Sequence, residues 1–89
     1  MPPMPRGSVM AEIRDTEYDL VVQLALGEEL VIQVRGRTTV NEVRQVLFDY
    51  MGTRSLRGEL WGRNGALPRN SALWACWVRP GDTLRLVFR

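Results

Sequence analysis

Cys76 is the single cysteine of this 89-residue chain, and there is no histidine. A nucleophilic thiol needs a neighbouring base or cation to hold it as the thiolate. Histidine, the commonest such base and the commonest metal ligand, is missing. Cys76 instead lies among Trp74, Trp77 and Val78. It therefore reads as a small apolar residue packed inside, rather than a nucleophile. One cysteine also rules out an internal disulfide or a multi-cysteine metal site. Glu28 and Glu29 adjoin at a hairpin tip, where consecutive strand residues point opposite ways. A solvated turn explains them better than an acid/base pair. Gly62, Gly65 and Gly81 sit in turns and lack the spacing of a phosphate loop. The residues thus predict no catalytic site, no metal and no cofactor, and exclude the usual classes of enzyme.

The chemistry that remains is recognition. The chain has three tryptophans, Trp61, Trp74 and Trp77, and all 12 of its basic residues are arginine. Arginine offers a planar fork of donors and stays charged at any ordinary pH. No lysine is present, so no side-chain amine is available for an isopeptide bond. Biased codon usage accounts for that composition, but the chemical consequence holds regardless. Trp74 and Trp77 lie three apart, on one side of a helical turn. Packing over a loop is the expectation for at least one of them; exposed together, they would form an apolar patch. Arginine interleaved with tryptophan also suits stacking on single-stranded nucleic acid. A net charge of only +2, with the arginines scattered, argues against that use.

Length and patterning define what positions these residues. The chain is long enough for one domain with one modest core. No run of about 18 apolar residues is present, so no membrane-spanning helix is expected. The first residues lack the apolar stretch of a secretory signal, which predicts a cytoplasmic or nuclear protein. Residues 1–17, with three prolines, a glycine and a serine, hold no lasting period and predict a flexible leader. Within it, Val9 to Ile13 is a short amphipathic stretch that would order on a partner. From residue 18 the pattern is regular. Asp19 to Leu26 and Leu30 to Val34 alternate as two strands around Gly27-Glu28, which predicts a hairpin. Thr39 followed by Glu42 forms a capping box. Val40, Val43, Val46, Leu47 and Tyr50 then recur at helical spacing, with Asn41, Glu42, Arg44, Gln45 and Asp49 on the other face. Gly52 ends that helix, predicted over Val40 to Met51. Leu56 to Trp61 contains a short strand, Asn64-Gly65 signals a hairpin turn, and Ala66-Leu67 is a stub stopped by Pro68. Ser71 to Cys76 forms one helical turn capped by Asn70 or Ser71. Pro80-Gly81-Asp82 turns into a last strand over Thr83 to Phe88.

Strand, strand, helix, strand, short strand and last strand is the β-grasp order, and here the chain resembles ubiquitin. Residues 18–89 align with the ubiquitin pattern without insertion or deletion. Gly27 matches the first hairpin glycine, Thr39-Val40 the start of the helix and Gly52 its end. The core positions of that family fall on Leu20, Val22, Leu30, Ile32, Val34, Val40, Val43, Leu47, Leu60, Leu67, Leu73, Val78, Leu84 and Leu86. Every one is leucine, isoleucine or valine. The resemblance implies an α+β, ubiquitin-like β-grasp fold, with a mixed sheet of four to five strands on one helix.

It also implies a binding face. In that family the outer side of the sheet carries an apolar patch, whose matching positions are Ala25, Trp61, Arg85 and Val87. Trp61 replaces the central aliphatic, Arg85 replaces a histidine, and Ala25 is smaller than the family residue. Alternation directs Leu60 inward and Trp61 outward. Arg57 and Arg89 fall at or near basic positions of the same face. A family tyrosine that braces the loop is replaced by Cys76. The implied function is a monomeric protein-interaction domain, a module of a larger protein, for ubiquitin-receptor or proteasome- and chaperone-type partners. The alternative is a modifier with a Gly-Gly tail beyond Arg89. A small nucleic-acid binder using arginine and tryptophan is the third reading.

Overall fold

The computed structural model describes residues 15–52 and 57–88. The predicted leader up to residue 14, the Thr53–Leu56 segment and Arg89 lie outside the described residues. The chain runs β1 (Glu17–Gln23), β2 (Glu29–Arg35), α1 (Val40–Met51), β3 (Gly58–Gly62), β4 (Gly65–Ala66), a 3-10 turn (Leu73–Cys76) and β5 (Thr83–Phe88). The five strands form one sheet in the order β2-β1-β5-β3-β4. β1 and β5 run parallel at its centre, and the other pairs are antiparallel. β1 begins at Glu17, inside the span read as leader, where Glu17 pairs with Arg35 across the hairpin at 2.8 Å. Asp15 makes an ion pair with Arg37.

Period-2 alternation sends Leu20, Val22, Ile32, Val34, Leu60, Leu84 and Leu86 to one side of the sheet, all buried. The helix closes that side with Val40, Val43 and Leu47, and Leu73 and Val78 fill the end. Fully burying side chains of this kind stabilises by roughly 1.5–3 kcal/mol each. Of the expected core positions, only Leu30 and Leu67 are part-buried, and both pack against the cluster.

The helix spans Val40–Met51, as its pattern predicts, but its buried face differs from the expected one. Val46 and Tyr50 are exposed, while Arg44 and Phe48 are buried. The face turned to the sheet is Val40, Val43, Arg44, Leu47 and Phe48, the i, i+3, i+4, i+7, i+8 stripe. Arg44 is admitted because its polar atoms find partners. Nε donates to the Gly58 carbonyl at 2.8 Å and Nη1 to Asn41 Oδ1 at 3.0 Å. Gly58 in turn makes room for Phe48, since a Cβ there would stand 2.8 Å from the ring.

Thr39 caps the helix by accepting from the Glu42 amide at 3.1 Å, and its hydroxyl meets the Glu42 carboxylate at 3.2 Å. Gly52 ends it in the left-handed region, φ 69°. Two further amides of the first turn are satisfied from outside. Val40 N–H donates to Ser71 O and Asn41 N–H to Arg69 O. Leu73 and Trp74 donate back to Thr38 O and Gly36 O. This exchange fastens the segment before the 3-10 turn onto the helix start. The turn itself is capped by Ala72 without a side-chain bond, rather than by Asn70 or Ser71. The β3–β4 loop is Arg63-Asn64, because Gly62 pairs with Gly65. Asn64-Gly65 therefore straddles the end of the loop rather than forming it.

Candidate functional site

The strand register decides which predicted site residues meet. Trp61 on β3 is the direct partner of Arg85 on β5. Arg85 is partnered by Gln23 on β1, Gln23 by Glu29 on β2, and Trp61 by Ala66 on β4. One row of side chains, Glu29, Gln23, Arg85, Trp61 and Ala66, thus crosses all five strands on the face away from the helix. Val87 lies two residues further along β5, opposite Glu59. Val21 and Val31 form a second pair on this face, and Val31 is 59% exposed. Ala25 is exposed in the β1–β2 turn, past the end of β1. Arg57 is exposed just before β3.

Within this row the residues differ in access. Arg85 is exposed and Val87 part-buried. Trp61 occupies the outer face but lies along it. Its indole nitrogen is shut off from solvent, and its six-membered ring edge passes over Gly65. A side chain on Gly65 would enter ordinary contact with that ring at 3.9 Å. Trp61 is therefore part-buried, with its polar tip withdrawn from solvent.

The other two tryptophans part company. Trp74 is in the 3-10 turn and part-buried. Trp77 is the residue that ends the turn, and it is 80% exposed. Its backbone sits in the left-handed region, φ 65°, the one positive-φ residue other than glycine among those described. Such a conformation costs a bulky L-residue about 1–2 kcal/mol. Arg79 lies over the Trp77 ring, its guanidinium carbon 5.4 Å from the centroid. Arg79 Nη1 donates to the Trp74 and Val78 carbonyls at 3.2 and 3.1 Å, which fixes the guanidinium against the loop. The Arg79 amide donates to Asp82 Oδ2 at 2.9 Å. The sequence reading placed Trp74 and Trp77 on one side of a helical turn. At least one of them was expected to pack over the loop, and Trp74 is part-buried while Trp77 is exposed.

A concave surface of about 920 Å³ joins the two regions. It runs from the β3–β4 hairpin across Arg85 and Gln23 to Cys76, Trp77 and Arg79. Cys76 is part-buried and packs against the core. Burial pushes its thiol upward from the ordinary value, partly offset by a hydrogen bond with Ser71. A thiol so placed is mostly protonated at neutral pH and is not activated. No cluster of three or more metal-ligating side chains occurs among the described residues. No helix of the described residues is long and apolar enough to cross a membrane.

Tyr18 lies on the inner side of β1, packed against the core. Its hydroxyl is buried without a hydrogen-bond partner among the described residues. Burial raises its pKa, Asp82 adds to the rise, and Arg79 opposes it. Neither Tyr18, Arg79 nor Arg63 was singled out by sequence pattern. Arg79 acts through a ring two residues away, a spacing that carries no helical or strand signal.

The sequence matches no protein-family model and no curated protein. The fold matches solved structures. A de novo design based on ubiquitin superposes with a TM-score of 0.74 at 20% identity, over 84% of this chain and 92% of the design. The UBL domain of Plasmodium falciparum Dsk2 gives 0.75 at 15% identity, over 83% of this chain and 100% of that domain. The chain is similar to both in fold: a ubiquitin-like β-grasp.

Proposed function

We propose that this chain is a ubiquitin-like protein-interaction domain, a module of a larger protein, which binds other proteins through its outer sheet face. The observation that carries the reading is the direct pairing of Trp61 with Arg85 on that face, with Val87 beside them. Tryptophan and arginine are the side chains most often found to dominate binding energy. They join here on a rigid sheet, so little ordering entropy opposes an encounter. Ala25 borders the face from the β1–β2 turn. The likeness to the Dsk2 domain supports the same reading. The partners are ubiquitin-receptor or proteasome- and chaperone-type modules. The domain acts as a monomer in cytoplasm or nucleus and carries out no catalysis of its own.

Chemical-shift mapping with a ubiquitin-receptor module tests it. Perturbed amides should centre on Trp61, Arg85 and Val87. Trp61→Ala should weaken binding by about 2 kcal/mol. Arg85→Glu changes an exposed side chain and should weaken binding without altering the core. Perturbations confined to the helix face would overturn the proposal.

The likeness to a ubiquitin-based design supports a second reading, a modifier joined to targets through a terminal Gly-Gly. The C-terminal sequence of the mature protein decides it. Gly-Gly at the mature end favours the modifier, and further domains favour the module.

A further inference from the structure

Trp77 combines two features that folding alone does not favour. The residue is 80% exposed, and its backbone is left-handed. Elsewhere among the described residues that conformation falls to glycine, at Gly27, Gly52, Gly65 and Gly81. A glycine or asparagine would end the 3-10 turn with less strain. The chain instead places its largest side chain there and leaves it in water, braced from one side by Arg79. Strain kept at an exposed aromatic points outward, to a ligand.

The surroundings define that ligand's charge. Trp77 borders the concave surface that also carries Arg63, Arg79 and Arg85. Two carboxylates, Asp82 and Glu29, line it as well. Asp82 is engaged by the Arg79 amide, and Glu29 stands at the far end of the row, beyond Gln23. The lining thus sets three guanidinium groups, Arg63, Arg79 and Arg85, against two carboxylates, and its balance is positive. Guanidinium forks match carboxylates two bonds at a time. The walls are two hairpin and loop edges rather than a deep pit, which suits an extended chain.

We propose that this concavity is a second contact surface, which takes an extended acidic segment of a partner protein. An apolar side chain of that segment stacks on Trp77, and its carboxylates meet Arg63, Arg79 and Arg85. This rests on the interaction-domain reading above and extends the contact beyond the outer face. Trp77 is the anchor, and the Arg79 guanidinium over its ring braces the indole at the rim before the partner arrives. That pre-ordering spares the entropy of fixing a mobile side chain on binding.

The test is an amide- and indole-detected NMR titration with a short synthetic peptide alternating Glu with Leu and Phe. The peptide should shift the Trp77 indole N–H together with the Arg63 and Arg79 amides. Replacing its Glu by Gln, or Trp77→Asn in the domain, should each weaken binding by about tenfold. Trp77→Asn should leave the unfolding midpoint unchanged or raise it, because asparagine tolerates the left-handed region. A merely structural Trp77 would lower it, which overturns the proposal. So would a silent Trp77 indole, or equal affinity for the Gln peptide. Tighter binding of oligothymidylate than of the acidic peptide would assign the surface to nucleic acid instead. Val87→Ala separates the two readings. A receptor module that loses affinity with Val87→Ala, while Trp77→Asn changes neither module nor peptide binding, leaves the outer face standing and removes this surface.

Discussion

Arg44 on α1 donates through Nε to the carbonyl of Gly58 on β3 at 2.8 Å, a charged hydrogen bond inside the core. The same guanidinium lies 5.3 Å from the Phe48 ring centroid and reaches Asn41 Oδ1. One side chain thereby ties the helix to the strand that carries Trp61. Burial lowers its pKa, Arg69 nearby lowers it further, and Glu59 opposes both.

Arg44→Ala should therefore destabilise by about 2–4 kcal/mol, through the cavity and the orphaned Gly58 carbonyl. Arg44→Lys keeps the charge but loses the Nε geometry and should recover only part of that. Denaturant unfolding checks both. A loss for Arg44→Ala within the range of an ordinary surface substitution would mean that Arg44 is dispensable.

Gly58→Ala should cost about 1–3 kcal/mol by overpacking. The new Cβ would fall 2.8 Å and 2.9 Å from Phe48 Cζ and Cε1 and 3.2 Å from Leu86 Cδ1. Its backbone is ordinary strand, so conformational strain contributes nothing. Phe48→Leu in the same chain should relieve part of the loss, and a double-mutant cycle measures that coupling. Additive effects would show that the ring is not what excludes a side chain at Gly58.

Tyr18→Phe should raise stability by about 1 kcal/mol, since the hydroxyl is buried and no described residue bonds it. The pH dependence has a definite sign. The folded pKa is raised, so the unfolded chain gives up its proton first as pH rises. The stability this linkage represents is whole below the ordinary tyrosine value of about 10 and is lost as pH climbs through the folded value. Unfolding free energies measured across that range should fall more steeply for the parent than for Tyr18→Phe. Parallel curves would contradict the assignment.

Cys76 should alkylate more slowly at neutral pH than a free cysteine, because burial raises its pKa and reduces the thiolate. Ser71→Ala removes a hydrogen bond that favours the thiolate and should slow it further. The rates of reaction with iodoacetamide, followed against pH, give both results. A Cys76 that reacts faster than free cysteine would reopen a nucleophilic role.

The elements were legible because their signals are local. Thr39 with Glu42 marks a helix start, and Gly52 supplies a left-handed end without a Cβ to clash. Alternation from Leu20 to Val34 admits one arrangement with an apolar face buried. The helix face was harder to read. Apolar identity suggested Val46 and Tyr50, but the sheet took Arg44 and Phe48, because a carbonyl and an aromatic face await the guanidinium. No local rule announces those distant partners.

The candidate site divides the same way. Residue type and alternation sufficed to put Trp61, Arg85 and Val87 on one side of their strands, since a strand's faces follow from its own backbone. Their adjacency is a matter of register between β3 and β5, joined through segments far apart in the chain, and the packed sheet alone sets it. Trp77 sits in a left-handed turn and is braced by Arg79, and neither feature has a periodic signature. Chain chemistry chose the secondary elements and the inward leucines and valines. Long-range packing chose which polar and aromatic groups meet, because contacts between distant segments carry energies that no neighbour in sequence can report.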